Sequence, residues 1–345
     1  YGIRYSMFYR LGNSTVNLYQ NDTPVVFDTD LQLYEKATPI GTQHYGSNKT
    51  IASYNNLEPR FSMAYQLNDN QSIKAGYNRM AQYLQLISNT ASPTPLDVWT
   101  PSDRYIKPQI CDQYAIGYFS NLKNDYSIEI ESFYKTVKNR MDYIDGADLI
   151  ANEAIEQVIL NGKMRSYGLE LMLKKNEGKL KGWISYTISR SEQKTPGRNA
   201  QETGINNGNW YKNAYDKLHN LAVTANYKFT NKWTFGANFV LQSGQPITYP
   251  NSQYVYQGIT IPNYGLRNEN RLPLYHHLDI SATLTPQNQR TKKIKSEWVF
   301  SIYNLYNRKN AANISFRQNQ DTGQNEAIRL SIFGMVPAVT YNFRF

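Results

Sequence analysis

A single cysteine, four histidines and no long apolar run are what this chain has least of. With Cys111 alone, no internal disulfide can form and no thiolate metal site can assemble. No stretch approaches the ~18 consecutive apolar residues of a spanning helix. A mean hydropathy of -0.63 likewise excludes a helical membrane protein. His276 and His277 are adjacent, so in a strand they point to opposite sides and cannot chelate one ion together. His44 and His219 stand isolated, and no metal or cofactor is expected. Catalytic constellations are missing too. Ser243 sits in Gln-Ser-Gly-Gln, without the leading glycine or the strand-to-helix turn of a nucleophile elbow, and the chain does not read as an enzyme. The net charge is +10, yet its basic residues are scattered apart from one modest cluster, Arg290-Thr-Lys-Lys-Ile-Lys295. A nucleic-acid face needs a concentrated stripe, so no nucleic-acid partner is expected. The sequons at Asn13, Asn48 and Asn313 read as loop accidents. Asp145-Gly146 and Asn161-Gly162 read as turns.

Aromatics, by contrast, are plentiful: 29 Tyr, 13 Phe and 5 Trp in a chain only 40% hydrophobic. In a transmembrane barrel that combination is expected, because only alternate residues meet lipid and aromatic girdles ring both interfaces. The period-2 signal recurs from end to end. In Leu221-Ala-Val-Thr-Ala-Asn-Tyr-Lys-Phe229 the odd positions are apolar, while Thr224, Asn226 and Lys228 alternate with them. Phe235, Ala237, Phe239 and Leu241 repeat the pattern against Thr234, Asn238 and Gln242, and Glu170 opposes Tyr167, Leu169 and Leu171.

Twelve strands are predicted, near residues 2–11, 57–68, 72–87, 107–120, 125–143, 163–175, 180–194, 217–229, 233–248, 273–285, 297–311 and 330–345. A soluble sandwich shows the same alternation with core in place of lipid. The links discriminate. Leu67-Asn-Asp-Asn-Gln71, Asn121-Leu-Lys-Asn-Asp125, Lys175-Asn-Glu-Gly178 and Thr230-Asn-Lys232 are tight turns. Between them lie long polar stretches at 12–56, 88–106, 144–162, 195–216, 249–272 and 312–329. Short turns at one end and long loops at the other are the asymmetry of outer-membrane barrels. The link at 286–296 blurs it, being longer and basic. The expected fold is all-β, an antiparallel up-and-down transmembrane barrel. The chain starts inside an element, with neither a start methionine nor a signal peptide, and looks like an excised piece.

The last ten residues place Val339, Tyr341, Phe343 and Phe345 on one face and Thr340, Asn342 and Arg344 on the other. This resembles the terminal-strand signal by which outer-membrane proteins are recognised for insertion, with Tyr341, Phe343 and Phe345 as its residues. Five further segments resemble TonB-dependent receptors of the branch that carries a carboxypeptidase-regulatory-like domain before its plug. They are Glu58-Pro-Arg60, Ser166-Tyr-Gly-Leu-Glu170, Leu241-Gln-Ser-Gly-Gln-Pro-Ile-Thr248, Arg271-Leu-Pro-Leu-Tyr-His-His-Leu-Asp-Ile280 and Tyr303-Asn-Leu-Tyr-Asn-Arg-Lys-Asn310. Their order and spacing cover nearly the whole chain. The resemblance implies a 22-strand barrel of which residues 1–345 are the carboxy-terminal portion, the plug, the TonB box and the first ten strands lying outside it. It also implies uptake of a scarce ligand (siderophore, haem, glycan or peptide) across a Gram-negative outer membrane. The implied partners are TonB through the plug, the barrel-insertion machinery, outer-membrane lipid and, in some members, a surface lipoprotein. The alternative is a passive porin or structural barrel without energy coupling.

Recognition is expected in the extracellular loops. Trp99, Arg104 and Tyr105 stand among the prolines of 88–106, Trp210 and Tyr211 in Asn209-Trp-Tyr-Lys212, and Tyr254 in 249–256. His276 is added at the extracellular end of a strand, with Tyr275 at the interface and Asp279 facing the lumen. Exposed aromatics beside amides suit sugar, peptide or siderophore binding.

Overall fold

The computed structural model describes residues 1–87, 98–149, 152–286, 295–319, 321 and 325–345. Twelve long strands form one antiparallel meander: β1 (Gly2–Leu11), β2 (Thr50–Asn68), β3 (Gln71–Gln82), β4 (Gln109–Asn121), β5 (Tyr126–Tyr143) and β6 (Ile159–Lys175), followed by β7 (Leu180–Lys194), β8 (His219–Lys228), β9 (Trp233–Gln242), β10 (Tyr275–Leu284), β11 (Lys295–Tyr303) and β12 (Val336–Arg344). Each strand pairs with the next in chain order, and β1 and β12 are the two ends of the path. All twelve expected strands are present. Six exceed the ~9–11 residues of a tilted spanning strand, β2, β5 and β6 most of all with 19, 18 and 17 residues. The excess projects beyond the bilayer.

The up-and-down order puts the turns at 69–70, 122–125, 176–179 and 229–232 at one end of the strands. The loops 12–49, 83–108, 144–158, 195–218, 243–274 and 304–335 lie at the other. Residues 67–71 and the described 98–106 thus belong to opposite ends of the strands, as the length alternation requires. Most of the basic 286–296 link, with the cluster from Arg290, lies outside the described residues, as do 88–97 of the second loop.

Pairing keeps the two parities apart across strands. Leu180↔Tyr227, Ile184↔Val223, Val223↔Phe239, Ile280↔Ile302 and Phe300↔Val339 run along the apolar face. Thr224↔Asn238 and Asn238↔Asp279 run along the polar, luminal one, where the Thr224 hydroxyl donates to Asn238 Oδ1 at 3.0 Å. On the apolar face Tyr77, Tyr114, Tyr134 and Tyr167 stand opposite one another across β3–β6. The rings of Tyr77 and Tyr114 are 5.0 Å apart. Tyr126, Trp233, Phe235, Trp298 and Phe343 mark the turn-side edge. Tyr134 and Tyr126 are separated along β5 by about 27 Å of strand. At a tilt near 40° this leaves about 20 Å of height, close to the ~25 Å apolar band of such barrels.

Among the described residues the buried apolar cluster belongs chiefly to the loops. Val25 and Tyr34 of the first loop, Ile87 and Ile106 of the second, Ile144 and Val158 of the third and Ile205 of the fourth pack together over the strand ends. The long loops are therefore a cap with its own core rather than solvated tethers. One expected turn is corrected. Asn161-Gly162 lies within β6, opposite Met141 and Arg140. A Cβ at position 162 would meet the Lys194 carbonyl oxygen at 2.6 Å, so glycine is needed there for close strand approach.

Candidate ligand site at the extracellular mouth of the lumen

The loop-side ends of β3, β4, β5 and β7 carry Gln82, Gln109, Arg140 and Gln193. Gln82 stands opposite Gln109, both with luminal parity. Arg140 owes its direction to a bulge. Lys138 is on the outer face, and in an unbroken strand Arg140, two positions along, would share it. The register shift between Lys138 and Arg140 inserts Asn139, whose φ is 56°, and brings Arg140 opposite Gly162. A bulge re-aims the strand that carries it, and here it turns a cation into the lumen.

Below the cap these residues line a cavity of about 460 Å³, with Asp142, Asn213, Arg267 and Asn268 completing its polar wall and Leu86, Ile144 and Leu149 its apolar one. The other charges are matched. Arg267 Nη1 donates to Asp142 Oδ1 at 2.6 Å and to the Tyr143 carbonyl at 2.7 Å, and its Nη2 reaches Asp145. Burial works against the Arg267 charge, but Asp142 and Asp145 outweigh it and hold the guanidinium above its ordinary range. Asp142 also accepts from Thr195 Oγ1 at 3.0 Å and from the Tyr211 hydroxyl. Arg271 and Arg190 both converge on the fully buried Asp216. Arg140 is different: it has no hydrogen bond or ion pair among the described residues, and its Nε is buried without a partner. A second cavity, of about 570 Å³, shares Asp145, Gly146, Thr248 and Arg267 with the first and adds Asn206, Asn207 and Tyr264 from the fourth and fifth loops. Together the two offer amides, a guanidinium unpaired among the described residues and a partly apolar floor, which is a surface for holding an anion.

The residues named from the sequence are scattered by the structure. Arg104 and Tyr105 line a separate cleft of about 380 Å³. Arg104 is paired there with Asp22 at 2.6 Å, and the Tyr105 hydroxyl donates to the Asn17 carbonyl at 2.8 Å. Burial raises the Tyr105 phenol above its usual range. Trp99 and Tyr254 are exposed on hairpins, at 63% and 54%, away from these cavities. Trp210 and Tyr211 point to opposite sides. Tyr211 is 7% exposed and engaged with Asp142 and with Gln193 Nε2, so it supports the cavity wall instead of presenting itself in a loop. Trp210 turns outward and lies over Arg165, 4.2 Å from its guanidinium carbon.

His276 is corrected in place: it stands on the lipid-facing parity of β10, opposite Leu241, with Nδ1 2.6 Å from the Tyr306 hydroxyl. Tyr275 and Asp279 take the luminal parity, Tyr275 within 3.4 Å of the Tyr303 hydroxyl. Tyr341, Phe343 and Phe345 form a run of neighbouring rings on the outer face of β12, spaced 6.0 and 6.4 Å. Arg140 and Arg267 were missed because a bulge and a loop crossing leave no periodic signal. The break in alternation at Lys138-Asn-Arg140 is the one trace.

A family model described as "TonB dependent receptor-like, beta-barrel" matches residues 2–307. No curated protein matches the chain in sequence. Among solved structures, the siderophore receptor PiuA from Acinetobacter baumannii is similar at 17% identity over 90% of this chain and 38% of that one, with a TM-score of 0.56. The ferric yersiniabactin uptake receptor FyuA from Yersinia pestis is similar at 15% identity, over 91% of this chain and 41% of that one, with a TM-score of 0.53. The FrpB iron transporter from Neisseria meningitidis is similar at 15% identity, over 88% and 41%, with a TM-score of 0.53. Identities this low show the fold, and the chain spans well under half of each receptor. The family is one of transport receptors rather than enzymes. With its family match running through 306 positions from Gly2 to Asn307, the chain belongs to the TonB-dependent receptor β-barrels.

Proposed function

We propose that residues 1–345 form the carboxy-terminal portion of an outer-membrane receptor that takes up a scarce anionic ligand by TonB-dependent transport. The observation that supports this reading is Arg140, a cation turned into the mouth of the lumen that forms no ion pair among the described residues. A guanidinium fork matches carboxylate and phosphate in two parallel hydrogen bonds. Haem, acidic glycans, acidic peptides and carboxylate-bearing siderophores carry such groups. The loop cap captures the ligand, a plug supplied upstream moves when TonB pulls on it, and the ligand passes through the lumen. The same reading places the chain in the outer membrane of a Gram-negative bacterium, assembled by the insertion machinery through its last strand. A surface lipoprotein over the cap is a further partner consistent with it.

The test is growth of a receptor-deletion strain on limiting iron–siderophore, haem, glycan or peptide. The full-length gene should restore growth on one of these, and only when TonB is present. Arg140→Gln should leave surface copies unchanged and raise the ligand concentration needed about tenfold or more, since a hydrogen bond to a charged group contributes roughly 1.5–3 kcal/mol. Restoration without TonB would move the protein to a passive porin.

A further inference from the structure

Three lysines occupy one register position on the outer face of three neighbouring strands. Lys138 of β5 stands opposite Lys163 of β6, which stands opposite Lys194 of β7. Lys138 and Lys163 are exposed and Lys194 is half-buried. Like charges directly opposite each other destabilise a sheet, and adjacent strands are only about 4.8 Å apart. None of the three forms an ion pair among the described residues. The acids on the neighbouring row are already engaged. Asp112 accepts from Arg79 at 2.7 and 2.9 Å and from the Tyr77 hydroxyl at 2.7 Å, and Glu192 accepts from Arg165 at 2.9 Å. Trp210 flanks the cluster, its ring 5.9 Å from Lys163 Nζ.

Height decides what an outward cation cluster faces. Lys138 and Lys163 each lie four residues beyond the girdle tyrosines Tyr134 and Tyr167. Four residues are about 13 Å of strand, or about 10 Å of height at a tilt near 40°. The headgroup zone extends roughly 5–7 Å beyond the hydrocarbon, and lysine stems bend several ångströms towards their preferred level. The ammonium groups therefore reach lipid headgroups rather than bulk water.

We propose that Lys138, Lys163 and Lys194 bind the phosphorylated headgroup of an outer-leaflet glycolipid, with Trp210 packed beside it. The negative headgroup supplies the counter-charge that the sheet lacks, and the site is separate from the luminal cavity. The full-length receptor, purified in detergent, is titrated with bisphosphorylated lipid A, with dephosphorylated lipid A and with inorganic phosphate, and bound lipid is counted by native mass spectrometry. The wild type should bind the bisphosphorylated lipid and bind the dephosphorylated one at least tenfold more weakly. The K138Q/K163Q/K194Q variant should lose about tenfold or more in affinity, while K138R/K163R/K194R should keep it. Millimolar inorganic phosphate should not displace the lipid. Equal binding by the glutamine variant, equal binding of the dephosphorylated lipid, or displacement by phosphate overturns the proposal. Folding is checked by heat-modifiable mobility on a gel. If the triple glutamine variant does not fold, K163Q against K163R carries the same comparison, and no difference between them overturns it.

Discussion

At the scale of single residues, direction along the strand matters more than residue type. Val223 and Asn226 are three positions apart in β8, yet one pairs within the apolar face against Ile184 and Phe239 and the other within the polar face against Lys181 and Gly236. A charge on the lipid side near the midplane costs roughly 2–4 kcal/mol, and less towards either interface. Val223→Arg should therefore lower the yield of heat-modifiable barrel, whereas Asn226→Arg should be tolerated. Equal yields in that gel assay would reverse the assignment of faces. The same logic explains Asn209-Trp-Tyr-Lys212. Its two aromatics look alike in sequence, but neighbouring positions of an extended chain diverge, so Tyr211 braces the lumen mouth and Trp210 faces outward.

At the scale of elements, the terminal strand is distinct. β12 pairs with β11 along its length, Lys295↔Arg344 to Tyr303↔Val336, and among the described residues no strand lies on its other side. Phe345 is 93% exposed, its ring centroid 6.4 Å from that of Phe343. A terminal residue so placed contributes little packing. Deleting Phe345 should reduce the number of molecules that reach the outer membrane and leave ligand affinity per molecule unchanged. Counting surface copies by antibody beside ligand bound per copy separates the effects; normal copy number with lost affinity would instead put Phe345 in the ligand site. The loops are the other element whose character differs from expectation. They read as long polar stretches, yet Val25, Ile87, Ile106, Val158 and Ile205 are each almost fully buried, contributed by four different loops. Isolated apolar residues in polar segments carry no period, and only their convergence makes a core.

For the whole molecule, the open path of the sheet has an energetic consequence. Backbone groups at bilayer depth must be satisfied within protein, since each one left unpaired in hydrocarbon costs several kcal/mol. Among the described residues the outer edges of β1 and β12 are not paired with each other. Residues 1–345 refolded alone into lipid vesicles should therefore aggregate or associate edge to edge, whereas the full-length receptor should give one folded, heat-modifiable monomer. A monomeric, protease-resistant barrel from this chain alone would show that twelve strands close on themselves.

What the sequence determined by itself is the architecture: twelve strands, their order, which end carries the loops, and which parity faces lipid. These follow from local rules, a two-residue side-chain period and the contrast between tight turns and long links, and local rules are written along the chain. The mouth of the lumen was decided by tertiary structure. Arg140 points inward because one inserted residue shifts the register against Gly162. Asp142 is held by Arg267 from 125 positions away. Lys138, Lys163 and Lys194 gain their meaning only when three strands align them. Each depends on contacts between segments distant in sequence, and no pattern within a segment records which partner it will meet.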